Sequence, residues 1–215
     1  MEVETLIDWV GRGGLVMYPI LACSFLVVAI ALERLVVFGL LGRSFTGRVG
    51  TVRERLLEAG AGPPPWEALK VPVGVRLVLE SARRNWDASR GRLQESLIFA
   101  SHQAKRKLES HLTSLAVISQ IAPLMGLLGT VLGMVRVFLA VQQAGGDVNP
   151  AALAGGIWEA LLTTVFGLSV AIPTYLAWHG FERVVNRRLE ALEELMETLL
   201  TLHEEKSDAS PDTAH

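Results

Sequence analysis

Apolar residues along this chain are gathered into three uninterrupted blocks. Leu15 to Leu32 holds 18 residues without an Asp, Glu, Lys or Arg, Leu112 to Val135 holds 24, and Ala160 to Phe181 holds 22. Each reaches the roughly 18 to 20 residues with which a helix crosses a hydrocarbon core of about 30 Å. The pattern predicts an all-α membrane protein with three transmembrane helices, over 15–41, 112–141 and 157–180.

Outside the blocks the pattern becomes amphipathic. A helix is predicted over Phe45 to Ala59, ended by Gly60-Ala61-Gly62-Pro63-Pro64-Pro65, because three prolines fix φ and remove three N–H donors. A shorter helix follows over Val73 to Trp86. From Ser89, Leu93, Leu97, Ala100, Ala104, Leu108, Leu112 and Leu115 recur at three or four and form one face. That face is predicted to run into the second span unbroken, so that span two extends into the cytoplasm. Span three is predicted to do the same over 181–205, where Phe181, Val185, Leu189, Leu192, Met196, Leu199 and Leu202 continue an apolar stripe that needs neighbours to cover it. The polar segment 206–215, with Pro211, is predicted to be disordered.

Charge gives an orientation. The region from Leu41 to His111 carries 13 Lys and Arg against 7 Asp and Glu, whereas the leader before Leu15 has one Arg and three acids. Basic residues favour the cytoplasmic side, which places the N-terminus outside and the C-terminus inside, as three spans require. The acidic leader Glu2, Glu4, Asp8 also has the wrong sign for a cleaved secretory signal, so the first block is expected to stay as a helix. Composition narrows the rest: Cys23 is the only cysteine and forms no internal disulfide or cysteine cluster, and a net charge of −2 argues against a generally basic nucleic-acid binder.

Between spans two and three, Asn149 followed by Pro150 reads as an N-cap and first helical position. Counting from this hairpin gives depth. Thr130 is 14 steps before Ala144 and Thr164 is 14 steps after Pro150, so two hydroxyls are expected level in antiparallel helices. By the same count Arg136 is level with Trp158, beside Glu159. Trp158 and Trp178 are 20 residues apart, about 30 Å along a helix, which matches aromatic belts at the two membrane interfaces.

No catalytic constellation appears, and an enzyme is not expected. His102, His111, His179, His203 and His215 form no ligand pair; His111 and His179 read as interfacial imidazoles. Gly126, Gly129 and Gly133 follow no strand, and in an apolar block they read as close helix contacts. Pro123 and Pro173 are helix kinks whose freed carbonyls need partners. Glu33 and Arg34 read as anchors at the inner end of span one. Arg136 and Glu159 are the remaining ionisable groups near the spans: Arg136 either snorkels to the headgroups or pairs with Glu159, in the same copy or a neighbouring one. If they pair, Arg136→Ala impairs function more than Arg136→Ala with Glu159→Gln. Thr130 and Thr164 alone are open to the plainer reading of hydroxyls bonded one turn back. All five aspartates lie outside the spans. A hydroxyl relays a proton but holds no charge near neutral pH, so proton movement would require a mid-membrane carboxylate from another polypeptide.

These residues carry a resemblance. Ile121-Ala-Pro-Leu-Met-Gly-Leu-Leu-Gly-Thr-Val-Leu-Gly-Met-Val-Arg-Val-Phe138 resembles the second span of the ExbB/TolQ/MotA proton-channel family. Gly156-Ile-Trp-Glu-Ala-Leu-Leu-Thr-Thr-Val-Phe-Gly-Leu-Ser-Val-Ala-Ile-Pro173 resembles its third, and Ala31-Leu-Glu-Arg34 the end of its first. Three spans fit the ExbB/TolQ branch, ExbB-like in particular, since the flagellar stator branch has four. The resemblance implies a homopentameric ring in the bacterial inner membrane around an ExbD- or TolR-like single-span partner carrying a membrane aspartate. Protons are the transported ion, no cofactor is implied, and the flow energises a TonB- or TolA-like protein for outer-membrane transport or envelope maintenance. By motif position Thr130 and Thr164 are similar to the family's pore-lining threonines and Glu159 to its third-span glutamate, while Arg136 departs from the usual neutral or acidic residue. The competing reading is a non-conducting scaffold that assembles and stabilises the single-span partner; a membrane-bound chaperone for that partner is a third.

Overall fold

A computed structural model describes residues 14–40, 45–60, 71–143 and 149–208. The acidic leader, the proline run at 63–65, hairpin residues 144–148 and the end of the tail from 209 lie outside the described residues. Among the described residues all regular structure is helical: α1 (Met17–Leu35), continued by a π-helical turn (Val36–Leu40), α2 (Phe45–Ala59), α3 (Val73–Arg84), α4 (Arg90–Glu109), α5 (Leu112–Gln143) and α6 (Pro150–Asp208). Three helices are long and apolar enough to cross a membrane: α1 with its extension to Gly39, α5 and α6. The chain divides into two compact units. One contains α1 as far as Glu33, α5, and α6 as far as Gly180; the other contains residues 34–110 and α6 beyond Gly180.

In the first unit α5 and α6 are antiparallel and approach backbone to backbone. A Cβ on Gly126 would lie 2.9 Å from Thr164 Cα and 3.0 Å from the Thr163 carbonyl, one on Gly133 would lie 2.5 Å from Ala160 Cβ, and one on Gly167 would lie 2.6 Å from the Ala122 carbonyl. Only glycine permits this separation. Asn149 caps α6, its Oδ1 accepting the Ala151 N–H at 2.9 Å, and Pro150 supplies a fixed φ at the first helical position. Pro123 and Pro173 lie inside α5 and α6 and remove the bonds that Ser119 and Ser169 carbonyls would accept. Both serine hydroxyls donate one turn back, to Ala116 and Val165 carbonyls at 2.8 Å each.

The second unit has a conventional aliphatic core. The four-three spacing of Phe45, Val49, Val52 and Leu56 puts one face of α2 inward, against Val75, Val78 and Leu79 of α3, Leu93 and Leu97 of α4, and Leu192, Leu195, Leu199 and Leu202 of α6. The α3–α4 hairpin is tied by Ser81, which donates to the Ser96 carbonyl at 2.9 Å, and by Asn85, which donates to Ser96 Oγ at 2.7 Å. Arg188 is buried between Phe38 and Phe45, its guanidinium 4.6 Å and 5.3 Å from the ring centroids; burial lowers its pKa from the ordinary arginine value.

Two expectations need correction. The amphipathic face of α4 does not run unbroken into span two, because Ser110 is extended and His111 takes a left-handed φ of 63° before α5 begins. The bend is held by side chains: Arg34 Nη2 donates to Ser110 Oγ at 2.9 Å, and His111 Nδ1 lies 2.9 Å from Glu33 Oε2. Nor does order stop at Glu205. The helix continues to Asp208, with Lys206 Nζ donating to Asp87 Oδ1 at 2.6 Å and Glu204 paired with Arg90.

Candidate functional site

The polar centre of the first unit is a cluster of three threonines at the glycine seam. Thr130 on α5 and Thr164 on α6 are joined hydroxyl to hydroxyl. Thr164 Oγ1 also lies 2.9 Å from the Gly126 carbonyl, and Thr130 Oγ1 lies 3.2 Å from Gly126 O and 3.4 Å from Ala160 O. Thr163 completes the cluster, donating to Ala160 O at 2.7 Å and lying 3.2 Å from Gly126 O. The residues meet because Gly126 and Gly129 bring the backbones together: the Gly126 carbonyl, already inside α5, is within reach of three hydroxyls.

Each hydroxyl has a single hydrogen, so the contacts are alternatives. With Thr130 donating to Thr164, Thr164 donates onward to Gly126 O. Reversed, Thr164 donates to Thr130, which turns to Gly126 O or Ala160 O. The pair thus has two bonded orientations that differ only by hydroxyl rotation. Both threonines are half-buried, whereas Thr163 is 2% exposed. The pair can pass hydrogen-bond polarity to a group at its open edge, and Thr163 anchors the seam. Among the described residues no carboxylate belongs to the cluster.

Glu159 and Arg136 lie nearer the hairpin. Both line an open cavity of about 370 Å³ walled by Gly14–Val16, α5 and α6. Among the described residues they form no ion pair with each other, so pairing within one copy is not realised; the Arg136 guanidinium instead reaches the backbone of Gly14, where a Cβ would lie 3.2 Å from Nη1. Pro123 is half-buried and Pro173 exposed. Among the described residues no group of His, Cys, Asp or Glu is arranged to hold a metal ion.

The axial count from the hairpin brings Thr130 to Thr164, but it gives no rotation about the helix and therefore does not single out Thr163. The usable signal was Gly129: the same count places it level with Val165, within a turn of Thr163, and a glycine there admits a buried side chain.

Residues 74–194 match the MotA/TolQ/ExbB proton channel family. The chain belongs to this family. It is 32% identical over 211 residues to the biopolymer transport protein exbB1 of Vibrio cholerae, covering 90% of this chain and 89% of that protein. It is 30% identical over 192 residues to the ExbB-like 3 protein of Synechocystis, covering 85% and 87%, and 39% identical over 93 residues to ExbB of Neisseria gonorrhoeae, covering 42% of each. The matched range contains α5 and α6 as far as Glu194, so the threonine seam falls within the part of the chain that matches this proton-channel family.

Proposed function

We propose that the chain is the ring-forming, proton-conducting subunit of an inner-membrane motor, five copies surrounding a single-span partner. In this reading the N-terminus is periplasmic and the C-terminus cytoplasmic. The partner supplies the mid-membrane aspartate, and cycles of its protonation against the ring energise a TonB- or TolA-like protein that serves outer-membrane transport or envelope maintenance. The observation that carries the reading is the Thr130–Thr164 pair: a reversible hydroxyl couple at the centre of an apolar span, with an open edge and no acid of its own. Such a couple orients water or hydrogen-bonds a neighbouring carboxyl in either protonation state. It stores no charge, which is why the acid belongs to another chain. Thr130 and Thr164 line the pathway, and Glu159 faces its outer approach.

The test is proton uptake by vesicles containing the protein with an aspartate-bearing single-span partner. Wild type is expected to take up protons, with loss in Thr130→Val and Thr164→Val. Unchanged uptake in both variants removes the pathway assignment. Absence of uptake in wild type while the partner remains bound favours the scaffold.

A further inference from the structure

The aliphatic walls and the arginine of the cavity at the hairpin end are not explained by proton conduction. Its walls are largely aliphatic, from Leu15, Leu132, Val137 and Leu153, and its volume of about 370 Å³ is within the range of ligand pockets. Two charged side chains, Arg136 and Glu159, open onto it. They are not equivalent. The contacts of Gly133 with Ala160 and of Gly156 with Val137 set the local register, which puts Arg136 level with residue 157 and so about 3 Å nearer the hairpin end than Glu159. Arg136 is exposed and, among the described residues, has no side-chain hydrogen bond or ion pair. The side chains around it, Val135, Leu139 and Trp158, are about half exposed and apolar. They belong to helices long and apolar enough to span a bilayer, which puts them in apolar surroundings.

We infer that the cavity is a binding site for a phospholipid of the surrounding bilayer, with an acyl chain in the aliphatic pocket and the headgroup phosphate on Arg136. An unpaired guanidinium at the headgroup end of an apolar pocket is complementary to this amphiphile: the fork donates two N–H bonds to phosphate oxygens, and the pocket takes the chain. A soluble anion would use only the arginine and a neutral lipid only the pocket. The site also accounts for an arginine near the mouth of a cation pathway, because the bound phosphate neutralises it. This inference requires that the chain sits in a bilayer; it does not require that it conducts.

The test is native mass spectrometry of the detergent-solubilised protein with three added probes: dioleoyl phosphatidylglycerol, dioleoylglycerol and glycerol phosphate. Retention of the phospholipid alone is expected. Arg136→Gln should lower it about fivefold, as expected for the loss of one basic contact near the membrane surface, and Leu153→Trp should lower it by filling the pocket. Arg136→Gln changes an exposed side chain and carries the test even if Leu153→Trp folds poorly. Phospholipid retention undiminished in Arg136→Gln overturns the site. So does recovery of proton uptake in Arg136→Ala with Glu159→Gln relative to Arg136→Ala, which assigns Arg136 to an ion pair. Loss of uptake in Thr164→Val with lipid retention intact leaves the site standing independently of the conduction reading.

Discussion

The two units of this chain are held together by different physics. In the second, Leu192, Leu195 and Leu199 are fully buried among aliphatic side chains of three other helices, and removal of that surface from water stabilises the packing. In the first, many of the largest hydrophobic side chains point away from the seam: Leu124, Leu128, Leu161 and Leu168 are exposed on the unit's surface. The contact itself is made by Gly126, Gly129, Gly133, Ala160 and Gly167. In lipid a leucine gains nothing by turning inward, so close backbone approach and interhelical hydrogen bonds hold the helices instead. The same choice places hydroxyls and a carbonyl in an apolar span. One helix, α6, follows both rules along its length, and its composition changes near Gly180 accordingly.

Substitutions that exchange the two kinds of packing test this contrast. The largest effect is expected from Leu195→Ala, which leaves a cavity in the aliphatic core and costs about 2 to 5 kcal/mol. Hydrogen exchange should show lost protection over residues 189–202 with α5 unchanged, and equal loss in α5 would break the distinction between units. Gly126→Ala is expected next. Its methyl meets backbone atoms of Thr163 and Thr164, and overpacking of this kind costs about 1 to 3 kcal/mol, read as a lower midpoint in denaturing detergent. In the leucine core the reverse operation, adding a methyl, meets side chains that can turn; at Gly126 it meets main chain.

Thr163→Val is expected to cost about 0.6 to 1.7 kcal/mol, the range of single interhelical hydrogen bonds in membranes, by deleting the contact with Gly126 O across the seam. A null result in the same detergent titration would reduce the seam to glycine packing alone. The smallest effect is expected at Asp87. The hydrogen bond and the charge of Lys206 hold its carboxyl below the ordinary value of 3.8. A depressed carboxylate contributes stability above its unfolded pKa, and that contribution is lost as pH falls through the folded value. Asp87→Asn should therefore flatten the acid side of the melting profile below about pH 4 and leave the midpoint at pH 7 nearly unchanged. A large shift at pH 7 would mean that this exposed pair is more than a surface contact.

Much of this was legible in the chain itself. Uninterrupted apolar blocks require membrane-length helices, and the Asn149–Pro150 start fixes where α6 begins, so counting alone brings Thr130 level with Thr164. The bend at Ser110 and His111 was not legible, because no glycine or proline marks it. It depends on Arg34 and Glu33, residues more than 70 positions away. The end of α6 is a similar case: Lys206 and Glu204 are ordered by Asp87 and Arg90, and a polar tail carries no sign of that in its own composition. Arg136 and Glu159 were rightly brought near one another by counting, but direct pairing depends on rotation about each helix, and both open onto a cavity instead.

The central claim is that the Thr164 hydroxyl, rather than its volume, serves proton movement. The direct measurement is proton uptake by vesicles with the aspartate-bearing partner, comparing Thr164→Val, which keeps the shape, with Thr164→Ser, which keeps the hydroxyl. Loss of a hydrogen bond worth about 1 to 1.5 kcal/mol in the transfer step predicts a drop of about tenfold in Thr164→Val, with Thr164→Ser retaining most of the wild-type rate. Equal rates in the valine and serine variants would contradict the account.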